Sequence, residues 1–186
     1  YSGNINPSDS NVKDLLEMTA NFLIPIFTLS MAEALVRYGL DKNYNKREVF
    51  TTASCKCGLG LGALILLSPL FNLIEFVDGY AILLLIYICT SALRSLCSQL
   101  TRTRGLVKLF SFDGILTTLL LFIFNIIFIS ALNMGVRGFM LSVILSDFCS
   151  ALFLFSISGI KNYLNLNYFR KDLALVMLRF ALPLIP

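Results

Sequence analysis

The sequence predicts an all-α, polytopic transmembrane helical bundle, on three observations. Of its 186 residues, 57% are hydrophobic and only 14% are charged, where a soluble domain carries roughly 25% charged residues. With a mean hydropathy of +0.80, a soluble chain of this size could not hide its apolar side chains. Apolar runs recur at lengths near 20 residues, and about 20 helical residues cover the roughly 30 Å hydrocarbon layer. The charges between these runs alternate in kind from one connector to the next.

Taken in order, residues 1–11 are polar and turn-rich and form a loop. The first span covers about 15–37, with an uncharged stretch at 18–32 and Pro25 as its bend. A charged connector, 38–50, leads to a second span at 51–74. The third span, 80–100, is interrupted by Arg94, and a basic connector, 101–113, follows it. The fourth, 114–136, has no charge, and the fifth, 138–160, has one acid, Asp147. After a polar, basic stretch at 161–172, a sixth span starts at 173–186. The chain opens without Met or a signal peptide and stops inside a new apolar run, so 1–186 is expected to be a piece of a longer protein.

The charge pattern gives the topology. The connectors 38–50, 101–113 and 161–172, with Arg37, hold Lys42, Lys46, Arg47, Arg102, Arg104, Lys108, Lys161, Arg170 and Lys171. The alternate segments hold only Lys13 and Arg137, beside Asp9, Asp14, Glu17, Glu75 and Asp78. Lys and Arg concentrate in cytoplasmic loops, so the first set faces the cytoplasm and the chain enters its first span from outside. The net charge of +4 then reflects loop topology, and nucleic acid is not expected as a partner.

The absence of His removes Ser-His-Asp catalysis and His-ligated metal sites from these residues, and no GxxxxGK[ST] phosphate loop occurs. Cys55, Cys57, Cys89, Cys97 and Cys149 lie in or beside apolar runs, as small packing residues do. No metal, cofactor or enzymatic activity is expected. Ser54, Gly58 and Gly62 recur every fourth residue and are expected to form a smooth helix-packing face.

Charges inside spans cost several kcal/mol or more and ask for a reason. Asp147 stands roughly 14 Å into its span, near the midplane. It is either a proton or sodium site, a partner for a cation, or a structural polar contact. Arg94, roughly 21 Å from the outer end of its span, either snorkels inward or lines a cavity and holds an anion. The two are close enough in depth to pair. Glu33 and Arg37, four residues apart, can form an ion pair at the inner end of the first span, or Arg37 can meet an anionic headgroup. Asn21 and Asn125 are mid-span amides, read either as interhelical contacts or as cavity polar groups.

These residues carry a resemblance. The segment from Arg102 to Asp147, with its basic loop, Thr- and Leu-rich helix and Gly135-Val136-x-Gly138 step, resembles the fourth-to-sixth helix region of bacterial polysaccharide flippases. These belong to the multidrug/oligosaccharidyl-lipid/polysaccharide exporter superfamily. Arg37-Tyr38 resembles the end of the family's second helix, and LRFALPLIP the start of its seventh. The resemblance implies most of the N-terminal six-helix lobe of a two-lobe exporter in the plasma membrane. It implies transport of an undecaprenyl-pyrophosphate-linked oligosaccharide, with glycan-assembly proteins as further partners. On this basis Arg37 and Arg94 are expected to bind the substrate, and Asp147, Glu33, Asn21 and Asn125 to supply ion coupling or cavity polarity. A multidrug exporter of the same superfamily and a membrane-embedded glycan polymerase or ligase are the alternatives; the short outer connections weigh against the enzyme.

Overall fold

The computed structural model describes residues 7–68, 79–160, 163 and 168–184. They form α1 (Pro7–Phe27), α2 (Met31–Leu40), α3 (Lys46–Leu66), α4 (Ala81–Thr103), α5 (Val107–Asn125), α6 (Gly135–Ile157) and α7 (Lys171–Ala181). A π-helical turn, Ile126–Ala131, extends α5, and a 3₁₀ turn, Leu182–Leu184, follows α7. No strand occurs among the described residues. Four helices are long and apolar enough to cross a membrane: α3, α4, α5 with its π turn, and α6; α1 and α2 together make a fifth if they act as one bent span. This is the architecture of a helical membrane protein.

The first span bends close to Pro25, as expected, and the bend is a break between two helices. Pro25 lacks an N–H, and the α-helical ladder ends two residues later at Phe27. Ser30 then donates its N–H to the Pro25 carbonyl at 2.9 Å. Leu29 (φ 53°) and Ser30 (φ 45°) take left-handed conformations, so α2 leaves α1 at 52°. Gly60 of α3 backs this corner. A Cβ there would sit 1.6 Å from the Phe27 carbonyl oxygen. Only glycine admits the approach.

The helices also run further into the polar connectors than hydropathy places them. α3 starts at Lys46, with the Asn45 side chain accepting the Arg47 N–H at 3.0 Å, and α5 starts at Val107. Cationic side chains are tolerated there because the first turns of a span lie in the headgroup layer. Residues 69–78 lie outside the described set, and with them the expected outer acids Glu75 and Asp78; so does Lys161. The 11 residues of α7 cover about 16 Å.

Among the described residues, the small-residue face expected on α3 has no neighbour at Gly58 or Gly62, where a Cβ would meet nothing within 4 Å; the close contact belongs to Gly60. The tight stripe lies on α6 instead, where Gly138, Ser142, Ser146 and Ser150 recur every fourth residue and are all buried. Their small size lets α4 and α5 lie close against α6.

Contacts between connectors support the alternating topology. Lys46 Nζ donates to the Thr103 carbonyl (2.7 Å), Thr51 to the Tyr163 carbonyl (2.9 Å), and Arg104 to the Ser158 carbonyl. Arg170 pairs with Glu48 at 3.3 Å. The basic connectors thus meet at one end of the bundle. At the other, Lys13 lies over Phe139 and Arg137 over Tyr80. α4 is the central helix: Leu96 and Leu100 join Met31, Leu35, Phe50 and Met177 near the basic end, and Leu84 and Ile88 join Leu16, Ala20 and Met140 near the other. α5 is peripheral and turns Ile115, Leu119, Phe122 and Ile123 outward, an apolar exterior suited to lipid.

Candidate functional site, a charged cluster between α4, α5 and α6

Three charged side chains from three helices meet inside the bundle. On α4, Ser91 and Arg94 are one turn apart on the same face. On α6, Asp147 and Ser150 have the same spacing, beside the small-residue stripe. On α5, Asp113 and Thr117 are four apart and both buried. Arg94 Nη1 is 3.6 Å from Asp147 Oδ1, and Nη2 is 3.7 Å from Asp113 Oδ2. Arg94 Nε donates to Ser150 Oγ at 3.1 Å, and Ser150 in turn donates to Asp113 Oδ1. Ser91 donates to Asp147 Oδ2. One guanidinium therefore spans two carboxylates, with a serine bridging it to one acid and a second serine holding the other.

Depth makes the cluster costly. Asp147 lies about 18 Å from the start of α6 and about 15 Å from its end at 1.5 Å per residue. Arg94 lies about 14 Å from the basic end of α4 and Asp113 about 9 Å from that of α5. Asp113 and Asp147 are buried, and the Arg94 side chain is 29% exposed. Desolvating such groups costs several kcal/mol per ion unless partners replace the lost water. The pairing and the serine hydroxyls supply most of those partners; Asp113 Oδ2 has only the 3.7 Å contact with Arg94 among the described residues. With both acids ionised, two negative charges face one positive.

The cluster opens on a cleft of about 420 Å³ between α1, α4, α5 and α6. Glu17, Asn21, Tyr87, Ser91, Arg94 and Asp147 give its wall a polar character, and Thr117, Thr118 and Ser146 add hydroxyls. Arg94, Asp147 and Asn21 thus share one site, and the Arg94–Asp147 pair expected from depth is formed. Arg94 does not snorkel to the membrane surface. Its donors face carboxylates, which leaves it poorly placed to hold an anionic substrate.

The other expected residues lie elsewhere. Glu33 lines a separate pocket of about 150 Å³ beside the α1–α2 break, with Pro25, Thr28, Cys57 and Ser95. No Glu33–Arg37 ion pair forms; Arg37 instead stacks its guanidinium 5.0 Å from the Phe180 ring of α7. The aromatic face competes successfully because an exposed i,i+4 pair is worth only about 0.3–0.5 kcal/mol. Arg37 does not line the cleft. Asn125 is buried at the end of α5, just before the π turn, with its Oδ1 unpartnered among the described residues, also outside the cleft.

Asp113 was missed by the sequence. Hydropathy begins the uncharged window at Gly114, so Asp113 read as the last residue of a loop. A signal existed: Leu109, Phe110 and Phe112 are already apolar, and Asp113 and Thr117 have helical spacing. The fold and the cluster define a helical membrane protein with a charged cleft between its spans. Comparison with family models, curated proteins and solved structures returns no match.

Proposed function

We propose that this chain is part of a transporter that flips an undecaprenyl-pyrophosphate-linked oligosaccharide across the plasma membrane for surface-polysaccharide synthesis. The observation that carries the transporter reading is the cleft itself. A purely structural ion pair needs no polar opening beside it, whereas a transported headgroup needs a wet path through the bilayer. The lipid-linked substrate rests on the resemblance of the 102–147 segment to polysaccharide flippases. The role is transport rather than catalysis, and glycan-assembly proteins would supply and consume the substrate.

Within this reading the Arg94–Asp113–Asp147 cluster is the ion-responsive element. Its excess of acid favours a proton or a sodium ion over an anion. Arg94 holds the two carboxylates; Arg37, at the basic end and outside the cleft, has no carboxylate within ion-pair distance among the described residues and would meet the pyrophosphate before the headgroup enters the wet path. Asn21 supplies a cleft amide for hydroxyl-rich headgroups. A multidrug exporter is the second reading, favoured by the same negative excess, which suits cationic drugs.

The test is complementation. Cells lacking the protein should accumulate lipid-linked oligosaccharide on the inner leaflet, and restoring it should return glycan to the outer leaflet. Arg37→Ala should lower delivery per inserted protein, with Arg37→Lys intermediate because it loses the forked geometry. Unchanged glycan delivery with altered resistance to cationic dyes would select the multidrug reading instead.

A further inference from the structure

A second opening lies on the other side of α4, and its chemistry differs from that of the charged cleft. It is a groove of about 320 Å³ between α3, α4 and the end of α6. Phe50, Gly58, Leu61, Leu93, Phe155 and Ile160 make its walls almost wholly apolar. Its volume is at the low end of the roughly 300–1,000 Å³ typical of ligand clefts, room for part of one hydrocarbon chain.

Cations stand beyond the Thr51 end of the groove, outside its walls. Thr51, in its wall, donates to the Tyr163 carbonyl at 2.9 Å and so fixes Tyr163 at the basic end. The guanidinium carbons of Arg104 and Arg47 lie 4.6 Å and 5.8 Å from the centre of the Tyr163 ring. Arg47 is one turn before Thr51 on α3, and Arg104 reaches the Ser158 carbonyl near Ile160. Neither arginine pairs with a carboxylate among the described residues. The neighbouring Glu48 is taken by Arg170, and Lys46 adds a further cation at the Thr103 carbonyl.

We infer that this groove holds an acyl chain of an anionic phospholipid of the cytoplasmic leaflet, with its phosphate between Arg47 and Arg104. The arrangement matches the ligand from end to end: apolar walls at span depth, then two forked donors at the headgroup layer, both against the Tyr163 ring. The positive-inside pattern places this end where acidic headgroups give a negative surface potential. The site is separate from the charged cleft and does not depend on what the protein transports.

The experiment is native mass spectrometry of the purified protein from mixed micelles containing phosphatidylglycerol and phosphatidylcholine with the same acyl chains. The wild type should retain phosphatidylglycerol preferentially. Arg47→Gln should weaken that preference roughly fivefold, and Arg47→Gln with Arg104→Gln roughly thirtyfold. Gly58→Phe meets no neighbour on its first carbon and should block the groove, lowering retention of both lipids. If the double variant fails to fold, the Arg47→Gln and Gly58→Phe variants still decide the matter. Equal retention of the two lipids by the wild type would overturn the site, as would full lipid retention by Gly58→Phe. In a parallel run with an isoprenyl pyrophosphate added to the same micelles, its stronger retention than phosphatidylglycerol would overturn the phospholipid assignment.

Discussion

Arg94 ties three helices together at one point, and removing it should be more damaging than removing its partners. Arg94→Ala leaves Asp113 and Asp147 buried without their cation and should cost about 3–5 kcal/mol, read as thermal unfolding in detergent. Adding Asp113→Asn and Asp147→Asn removes the orphaned charges, so the triple variant should be more stable than Arg94→Ala alone. Purely additive losses across that cycle would show that the three groups are not coupled. Ser150 accepts from Arg94 and donates to Asp113, so Ser150→Ala should cost about 1–3 kcal/mol with no change in charge. Two of the three charges of this cluster are legible in the sequence. Arg94 and Asp147 stand out because each interrupts an apolar run. Asp113 does not, because hydropathy assigns a charge near a span's end to the loop and cannot see that the helix began six residues earlier, at Val107. Arg37 shows the opposite failure. Its spacing to Glu33 is right for an ion pair, but Phe180 comes from a helix more than a hundred residues away, which no local pattern reports.

At the scale of the element, the break between α1 and α2 depends on two features that act together. Leu29 and Ser30 end the ladder in left-handed conformations just after Pro25, and Gly60 leaves room for the corner. Gly60→Ala puts a carbon into the Phe27 carbonyl and should destabilise the bundle strongly, whereas Gly58→Ala points into open space and should be close to neutral. Comparing thermal unfolding of the two variants checks this directly; equal effects would mean the corner can relax away from α3. Leu29→Gly should leave stability little changed, because the roughly 1–2 kcal/mol of left-handed strain it relieves is offset by lost packing against the core and by glycine's chain entropy. Pro25 announces a bend in the sequence, but the left-handed pair that follows it does not, because neither Leu nor Ser signals positive φ. The small-residue pattern also misled on α3. Ser54, Gly58 and Gly62 have the spacing of a packing face, yet spacing alone does not say whether a neighbour is present; on α6 the same spacing falls beneath α4 and α5.

Across the whole molecule, the order of spans and the segregation of basic residues are what the sequence conveys best. Hydropathy and loop charge are summed over many residues, so a few misplaced boundaries do not alter them. Contacts such as Lys46 to Thr103 and Arg104 to Ser158 gather the basic connectors at one end. A single cysteine at position 44 should therefore resist a membrane-impermeant thiol reagent added outside cells, while one at position 134 should react; the reverse result would invert the topology. What the sequence conveys least is which polar groups share a cavity, since that depends on how helices rotate about their axes. The central claim is that the Arg94–Asp113–Asp147 cluster works in transport and is not only a strut. The most direct measurement is glycan delivery to the outer leaflet, per inserted protein, by the variant Arg94→Leu with Asp113→Asn and Asp147→Asn. This variant has no net buried charge to destabilise it, so it should insert in near-normal amounts. Delivery should fall to the level of cells lacking the protein. Normal delivery by the well-inserted triple variant would contradict the claim and leave the cluster a structural one.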